Sequence, residues 1–247
     1  MKTSGNTILI TGATSGIGLA FAEEFIKEDN TVIICGRRED RLQQIKEKHP
    51  GIITKVCDAS LAAEREELCK WTLQNYPATN ILINNAGIQL VADLTKPVNL
   101  ERVISEVEIN FIAPVHLSSL FVQHLSSKAD AAIMNISSGL AFVPIAFMPV
   151  YCATKAAIHS LTLSLRHQLR KTTVKVFEII PPSVDTELGH DRRADKTQTH
   201  GGMPVSEFIV EAMEGIRNDV FETAVGQSKN MRAKKEELFE PMNSRFG

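Results

Sequence analysis

A doubly wound α/β fold, with one parallel sheet covered by helices on both faces, is what this sequence predicts. Three observations predict it. Short β-branched runs alternate with longer amphipathic ones along the 247-residue chain. Those runs are apolar almost throughout instead of alternating with polar residues, the pattern of strands buried on both faces. The first run ends in a glycine-rich turn, "TGATSGIG" (11–18), which opens a helical pattern.

The elements follow in order. "NTILI" (6–10) is a strand before a helix near 17–28, and "TVIIC" (31–35) precedes one near 39–48. "GIITKV" (51–56) leads to a helix over 60–75, and "NILIN" (80–84) to helical patterns through 100–125. "AAIMNI" (131–136) precedes a helix over 151–170, and "VKVFEII" (174–180) runs into a less regular region. "FETAVG" (221–226) is a last strand before a charged amphipathic helix near 229–243. Residues 183–205 break the rhythm: they are polar, long and rich in glycine and aspartate, which predicts a mobile lid. Strand and helix patterns resume beyond it and no repeat is found, so residues 1–247 are expected to form a single domain.

Composition excludes several function classes. A net charge of −2 offers no basic face for nucleic acid. The longest apolar stretch (140–150) is interrupted by Pro144 and Pro149. It falls short of the ~18 residues of a membrane span, and the N-terminus lacks a signal-peptide core. A cytoplasmic protein with no membrane span is expected. Cys35, Cys57, Cys69 and Cys152 have no C-x-x-C spacing and read as buried thiols. His116, His124, His159 and His167 read as helix-face residues, while His190 and His200 fall in the expected lid, so no metal site is expected.

Two motifs carry chemistry. In the glycine turn, Gly12 permits a sharp bend, Gly16 a close approach to a pyrophosphate, and Gly18 tight packing of the helix on the sheet. The helix beginning there directs its N–H groups and dipole at an anion. In "VYCATKAA" (150–157), Tyr151 and Lys155 stand one helical turn apart on one face. A proton donor usable near neutral pH is poorly supplied by a free phenol at about pKa 10. Lowering it to about 7 takes about 4 kcal/mol, roughly what one cation about 4 Å away supplies at an effective dielectric near 20.

The G-x-x-x-G-x-G spacing of the turn resembles that of the short-chain dehydrogenase/reductase family. Four further segments match in order: "NNAG" (84–87), Asn110 in "EINFIAP", Ser138 thirteen residues before Tyr151, and "PPSVDT" (181–186). Within that family the wording is similar to a bacterial subgroup, the DltE-like oxidoreductases, associated with D-alanylation of lipoteichoic acid. The resemblance implies a Rossmann-type domain that transfers hydride between a nicotinamide dinucleotide and a carbonyl or secondary alcohol, in a homodimer or homotetramer. It makes Tyr151 the general acid and base. Lys155 holds the ribose, Ser138 steadies the substrate oxygen, and Asn110 positions a proton-relay water.

Toward the cofactor it implies contacts from Gly12, Ser15, Gly16, Ile17 and Gly18 in the turn, and from Asp58 beside the adenine. Asn85, Ala86 and Gly87 follow the fourth strand, Pro181, Val184 and Thr186 follow the sixth, and Tyr151 and Lys155 are shared with catalysis. Pro182 stands where the family usually has glycine. Gly36 holds the place where NAD enzymes of this fold put an acidic residue, and Arg37 and Arg38 follow it. Guanidinium groups there grip a 2′-phosphate, so NADP(H) is expected in preference to NAD(H). Phe142, Val143 and Phe147 are expected to wall an apolar substrate pocket, the alternative being that their stretch packs into core or a subunit interface. A non-catalytic dinucleotide sensor on the same fold is the rival reading.

Overall fold

β1 (Thr7–Thr11) is buried at every position because it lies in the middle of the sheet. The computed structural model describes residues 1–189 and 201–244. Around β1 stand β2 (Thr31–Gly36), β3 (Ile52–Val56), β4 (Ile81–Asn84), β5 (Ala131–Ile136), β6 (Val174–Ile180) and β7 (Glu222–Ala224). Their order is β3-β2-β1-β4-β5-β6-β7, and every pairing is parallel. The order reverses between β1 and β4, which opens a crevice at the carboxyl ends of those strands.

Alternation along each strand supplies both faces. Ile8, Ile10, Val32 and Ile34 meet Phe21 and Phe25 of α1 (Gly16–Lys27), Leu42 and Ile45 of α2 (Glu39–Lys48), and Phe208 and Met213 of α7 (Val205–Arg217). Leu9, Ile33, Leu82 and Ile133 meet Leu68 of α3 (Ala62–Asn75), Leu117 and Phe121 of α5 (Ala113–Ser126), and Leu165 of α6 (Pro149–Gln168). This is a single α/β domain of the expected class. All four cysteines are free and buried, and among the described residues no helix is long and apolar enough to cross a membrane.

The differences are local. The helical patterns expected through 100–125 resolve into α4 (Leu100–Val107), then a π-helical turn over Glu108–Ile112, then α5. The last strand pairs over Glu222–Ala224 only. The C-terminal helix expected over 229–243 is α8 (Ser228–Lys234), a 3₁₀ turn, and α9 (Phe239–Asn243); Lys235 at φ +49° interrupts it. Helix α7 begins at the far edge of the irregular stretch, where helical patterning resumes, and Phe208, Ile209, Ala212, Met213 and Ile216 give it a buried apolar face. Residues 190–200 of the expected lid, with His190 and His200, lie outside the described residues. At its near and far ends Asp185 N donates to Met203 O (2.9 Å) and Met203 N to Ser183 O (2.8 Å).

Gly215 shows how tightly α7 sits on β7. A Cβ there would fall on the hydroxyl and methyl of Thr223. Gly215→Ala is therefore expected to destabilise the fold by about 1–2 kcal/mol, although alanine gains up to about 1 kcal/mol in helix propensity. A urea midpoint equal to or above that of the wild type would show that the helix can shift.

Candidate active site

The crevice is built from the turn after β1 and the loop after β4. Gly12 (φ +65°) and Gly16 (φ +58°) adopt backbone conformations that side chains disfavour. A Cβ on Gly12 would lie 2.6 Å from Ala86 Cα, so the two loops touch backbone to backbone. The Thr11 hydroxyl accepts from the N–H groups of Asn85 and Ala86 (3.1 Å each). The Asn85 amide returns bonds to Thr11 O (2.9 Å) and Gly12 O (3.1 Å). A Cβ on Gly16 would lie 3.1 Å from Thr186, which places the segment after β6 over the amino end of α1.

One cleft of about 1200 Å³ runs along these loops. It is lined by all of the expected site residues except Asn110: Gly12 and Ser15 to Gly18, Arg37 and Arg38, Asp58, Asn85 to Gly87, Ser138, Tyr151 and Lys155, and Pro181, Val184 and Thr186. Asn110 is buried behind it in the π turn. Its Oδ1 accepts from Ile88 N (2.8 Å), and its Nδ2 donates to Ile88 O (2.9 Å) and Thr154 Oγ1 (3.1 Å). It thereby ties the β4 loop to α6, and Gly87 is the point where Asn110 Oδ1 and Lys155 Nζ come together.

Tyr151 and Lys155 occupy the first turns of α6 and are both buried. Lys155 Nζ lies 5.7 Å from the centroid of the phenol ring and donates to Ile136 O (2.9 Å). Burial pushes the ammonium down to about 8, against the opposing pull of Glu106 and Glu178. At neutral pH it is still mostly charged. Ser138 caps the 3₁₀ turn Gly139–Ala141, its hydroxyl accepting from Leu140 N (3.1 Å), and Gly139 N donates to Pro181 O (2.9 Å).

Sequence reasoning missed the two carboxylates facing Lys155. Glu178 is fully buried, with Ser137 Oγ on one oxygen (2.5 Å) and His159 Nδ1 on the other (2.8 Å). Its one signal was an acidic residue inside the apolar run "VKVFEII". Glu106, also buried, accepts from Leu90 N (2.8 Å); among the neighbouring acidic residues of α4 nothing marked it. His159, Glu178 and Glu222 lie within 4.8 Å of one another, and Arg232 Nε donates to Glu222 (2.6 Å), so the group is an ion-paired network.

That network corrects the expected pocket wall. Phe142 packs its ring edge-on to His159 (4.7 Å) and beneath the Arg232 guanidinium (4.8 Å), and Val143 is fully buried. Both belong to core because α8 sits directly on their turn: a Cβ on Gly139 would lie 2.6 Å from Ser228 Oγ and 2.7 Å from Met231 Sδ. Phe147 does line the cleft, together with Leu140, Ile145, Met148, Met231 and Met242.

At the opposite end, a Cβ on Gly36 would lie 2.7 Å from Thr14 Cγ2, so a side chain there would have to displace Thr14. Arg38 donates through Nε (3.1 Å) and Nη2 (2.6 Å) to Thr14 Oγ1, and through Nη2 to Ser15 Oγ (2.9 Å). Arg37 is exposed on the cleft rim. Asp58 Oδ1 accepts from Ser60 N (2.9 Å) and Oγ (2.8 Å).

Residues 6–197 match the short chain dehydrogenase family model. The chain belongs to the short-chain dehydrogenase family. Among its relatives, the oxidoreductase DltE of Bacillus subtilis strain 168 is 46% identical over 251 aligned positions, covering 99% of each chain. The NADP-dependent 3-hydroxy acid dehydrogenase YdfG of Salmonella typhi is 30% identical, covering 83% of this chain and 86% of its own. A short-chain dehydrogenase from Sphingobium yanoikuyae, solved with NADPH, superposes with a TM-score of 0.79 at 26% identity, over 89% of this chain and 87% of that one.

The family's lysine is here balanced by Glu106 and Glu178. Glu178→Gln removes a charge that favours the ammonium, so the Lys155 pKa is expected to fall below about 8. An alkaline limb of a pH–rate profile set by Lys155 should move toward neutral pH by roughly half a unit to one unit. A limb that stays in place would remove Glu178 from the electrostatics of the site.

Proposed function

We propose that this protein interconverts carbonyl compounds and secondary alcohols with NADP(H), using Tyr151 as general acid and base. The observation that supports it most directly is the burial of Tyr151 and Lys155, one turn apart, in the wall of the cleft that also holds Ser138 and the glycine turn. A dinucleotide suits this cleft, which runs from Arg38 and the glycine turn past Asn85, Ala86 and Gly87 to Ser138, Tyr151 and Lys155. When bound, the nicotinamide supplies or takes the hydride. Ser138 orients the substrate oxygen, and Tyr151 donates its phenolic proton to that oxygen in reduction and takes it back in oxidation. Lys155, anchored on Ile136 O, favours the phenolate by its charge, and Asn110 keeps the Ile88 backbone and α6 in register behind it. A non-catalytic sensor would have no use for this triad beside the glycine turn.

The cofactor reading rests on Arg38, whose guanidinium is oriented by Thr14 and Ser15 at the end of β2, with Arg37 beside it. Relatives named or solved with NADP(H) support the same choice. Phe147, Ile145, Met148, Met231 and Met242 favour an apolar substrate over a small charged one. An exposed apolar groove formed by Leu94, Val107, Phe111, Val150 and Ala153 supports the homo-oligomer that the family resemblance implies.

Tyr151→Phe is expected to leave NADPH affinity within about twofold and lower turnover by at least ~10²-fold on the best substrate of a ketone and aldehyde panel. Wild-type turnover in that variant would end the mechanism. Arg38→Ala should weaken NADPH binding about 10- to 100-fold in a fluorescence titration and leave NADH nearly unchanged. An Arg38→Ala variant that binds NADPH as tightly as the wild type would remove the arginine's role.

A further inference from the structure

Arg38 has a second partner that cofactor binding alone does not account for. Its Nη1 donates to Glu187 Oε2 at 2.6 Å, and Arg41 Nη2 reaches the other carboxylate oxygen, Oε1, at 3.4 Å. Both oxygens of one carboxylate are thus held by two guanidinium groups at the end of β2. Burial opposes the charge of Glu187, and hydrogen bonds from Arg38 and Ser15 with the fields of Arg38 and Arg41 outweigh it, holding the carboxyl below the usual carboxylate range. Two arginines with a hydroxyl from the glycine turn form an anion site, and the chain's own carboxylate stands in it.

We infer that Glu187 is a specificity-determining residue for the cofactor, occupying the position at Arg38 and Arg41 that a ribose 2′-phosphate takes. This rests on the reading above that Arg38 receives that phosphate. NADP(H) then exchanges one anion for another at the same guanidinium groups. NAD(H) brings no anion there and leaves the Glu187 ion pairs in place. The competition lowers NADP(H) affinity by the fraction of molecules in which Glu187 holds the site. It also links the two ends of the cleft through consecutive residues. Thr186 lies against Gly16, Glu187 on the arginines, and Leu188, whose N–H donates to Thr186 Oγ1 (3.2 Å), in the wall of the cleft.

The test is fluorescence titration of NADPH and NADH into the wild type, Glu187→Gln, Arg38→Ala and the double variant. Glu187→Gln is expected to tighten NADPH binding roughly two- to fivefold, the range for a partly exposed ion pair, with NADH changing less than about 1.5-fold. In the Arg38→Ala background the same substitution should lose most of that effect on NADPH. Equal tightening of both cofactors would assign the change to the general field of a carboxylate and overturn the inference, as would no tightening of either. If Arg38→Ala discriminates against NADPH while Glu187→Gln changes nothing, the cofactor reading stands and only the role of Glu187 falls. If Arg38→Ala leaves NADPH affinity unchanged, both fall.

Discussion

The contact on which the site depends is the one between Gly12 and Ala86, where two loops meet with no room for a single extra carbon. It brings the ends of β1 and β4 together at the point where the strand order reverses. The Thr11 hydroxyl and the Asn85 amide then use that proximity to cross-link the loops with four hydrogen bonds. From Ala86 the chain passes through Gly87, beside Lys155 and Asn110, to Ile88, which Asn110 clamps on both sides. The glycine turn, Asn110 and α6 thus share one short stretch of backbone. A displacement of the β4 loop would be felt at every part of the chemistry at once.

Lys155 brings a cost. Its pKa in the folded protein, about 8, lies below its ordinary value of 10.5, so between those values the unfolded chain binds more protons than the folded one. Stability contributed at this position therefore rises with pH through that window, and below it the buried ammonium weighs against folding. Glu106 and Glu178 reduce the penalty, and Ser137 and His159 satisfy the oxygens of Glu178 in turn. The polar network inside β5 and β6 exists because a cation is kept in a place where the rest of the core would exclude it.

The sheet, the two helical layers and the cleft residues were legible because each leaves a local mark: apolar runs, glycine spacing, a tyrosine one turn before a lysine. What was not legible depends on contacts far apart in sequence. Phe142 and Val143 read as pocket residues from a run of apolar side chains, but α8, nearly ninety residues later, covers them. Asn110 was identified by resemblance, whereas the π turn that presents it carries no pattern of its own. Glu187 looked like one acidic residue in a polar stretch, since nothing local says that Arg38, on another strand end, lies within hydrogen-bond reach.

The seating of α8 on the Ser138 turn also has a meaning for how the protein is made. Domains generally fold as units, so a turn packed under a late helix is completed only after that helix has been made. Every strand from β1 to β6 leaves the ribosome before α8 does. The cofactor half of the cleft, built by β1, β2 and β4, has all of its residues early, while the turn that carries Ser138 waits for Ser228 and Met231 to close over Gly139. The Ser138 turn is thus among the last parts of the molecule to find its packing partners.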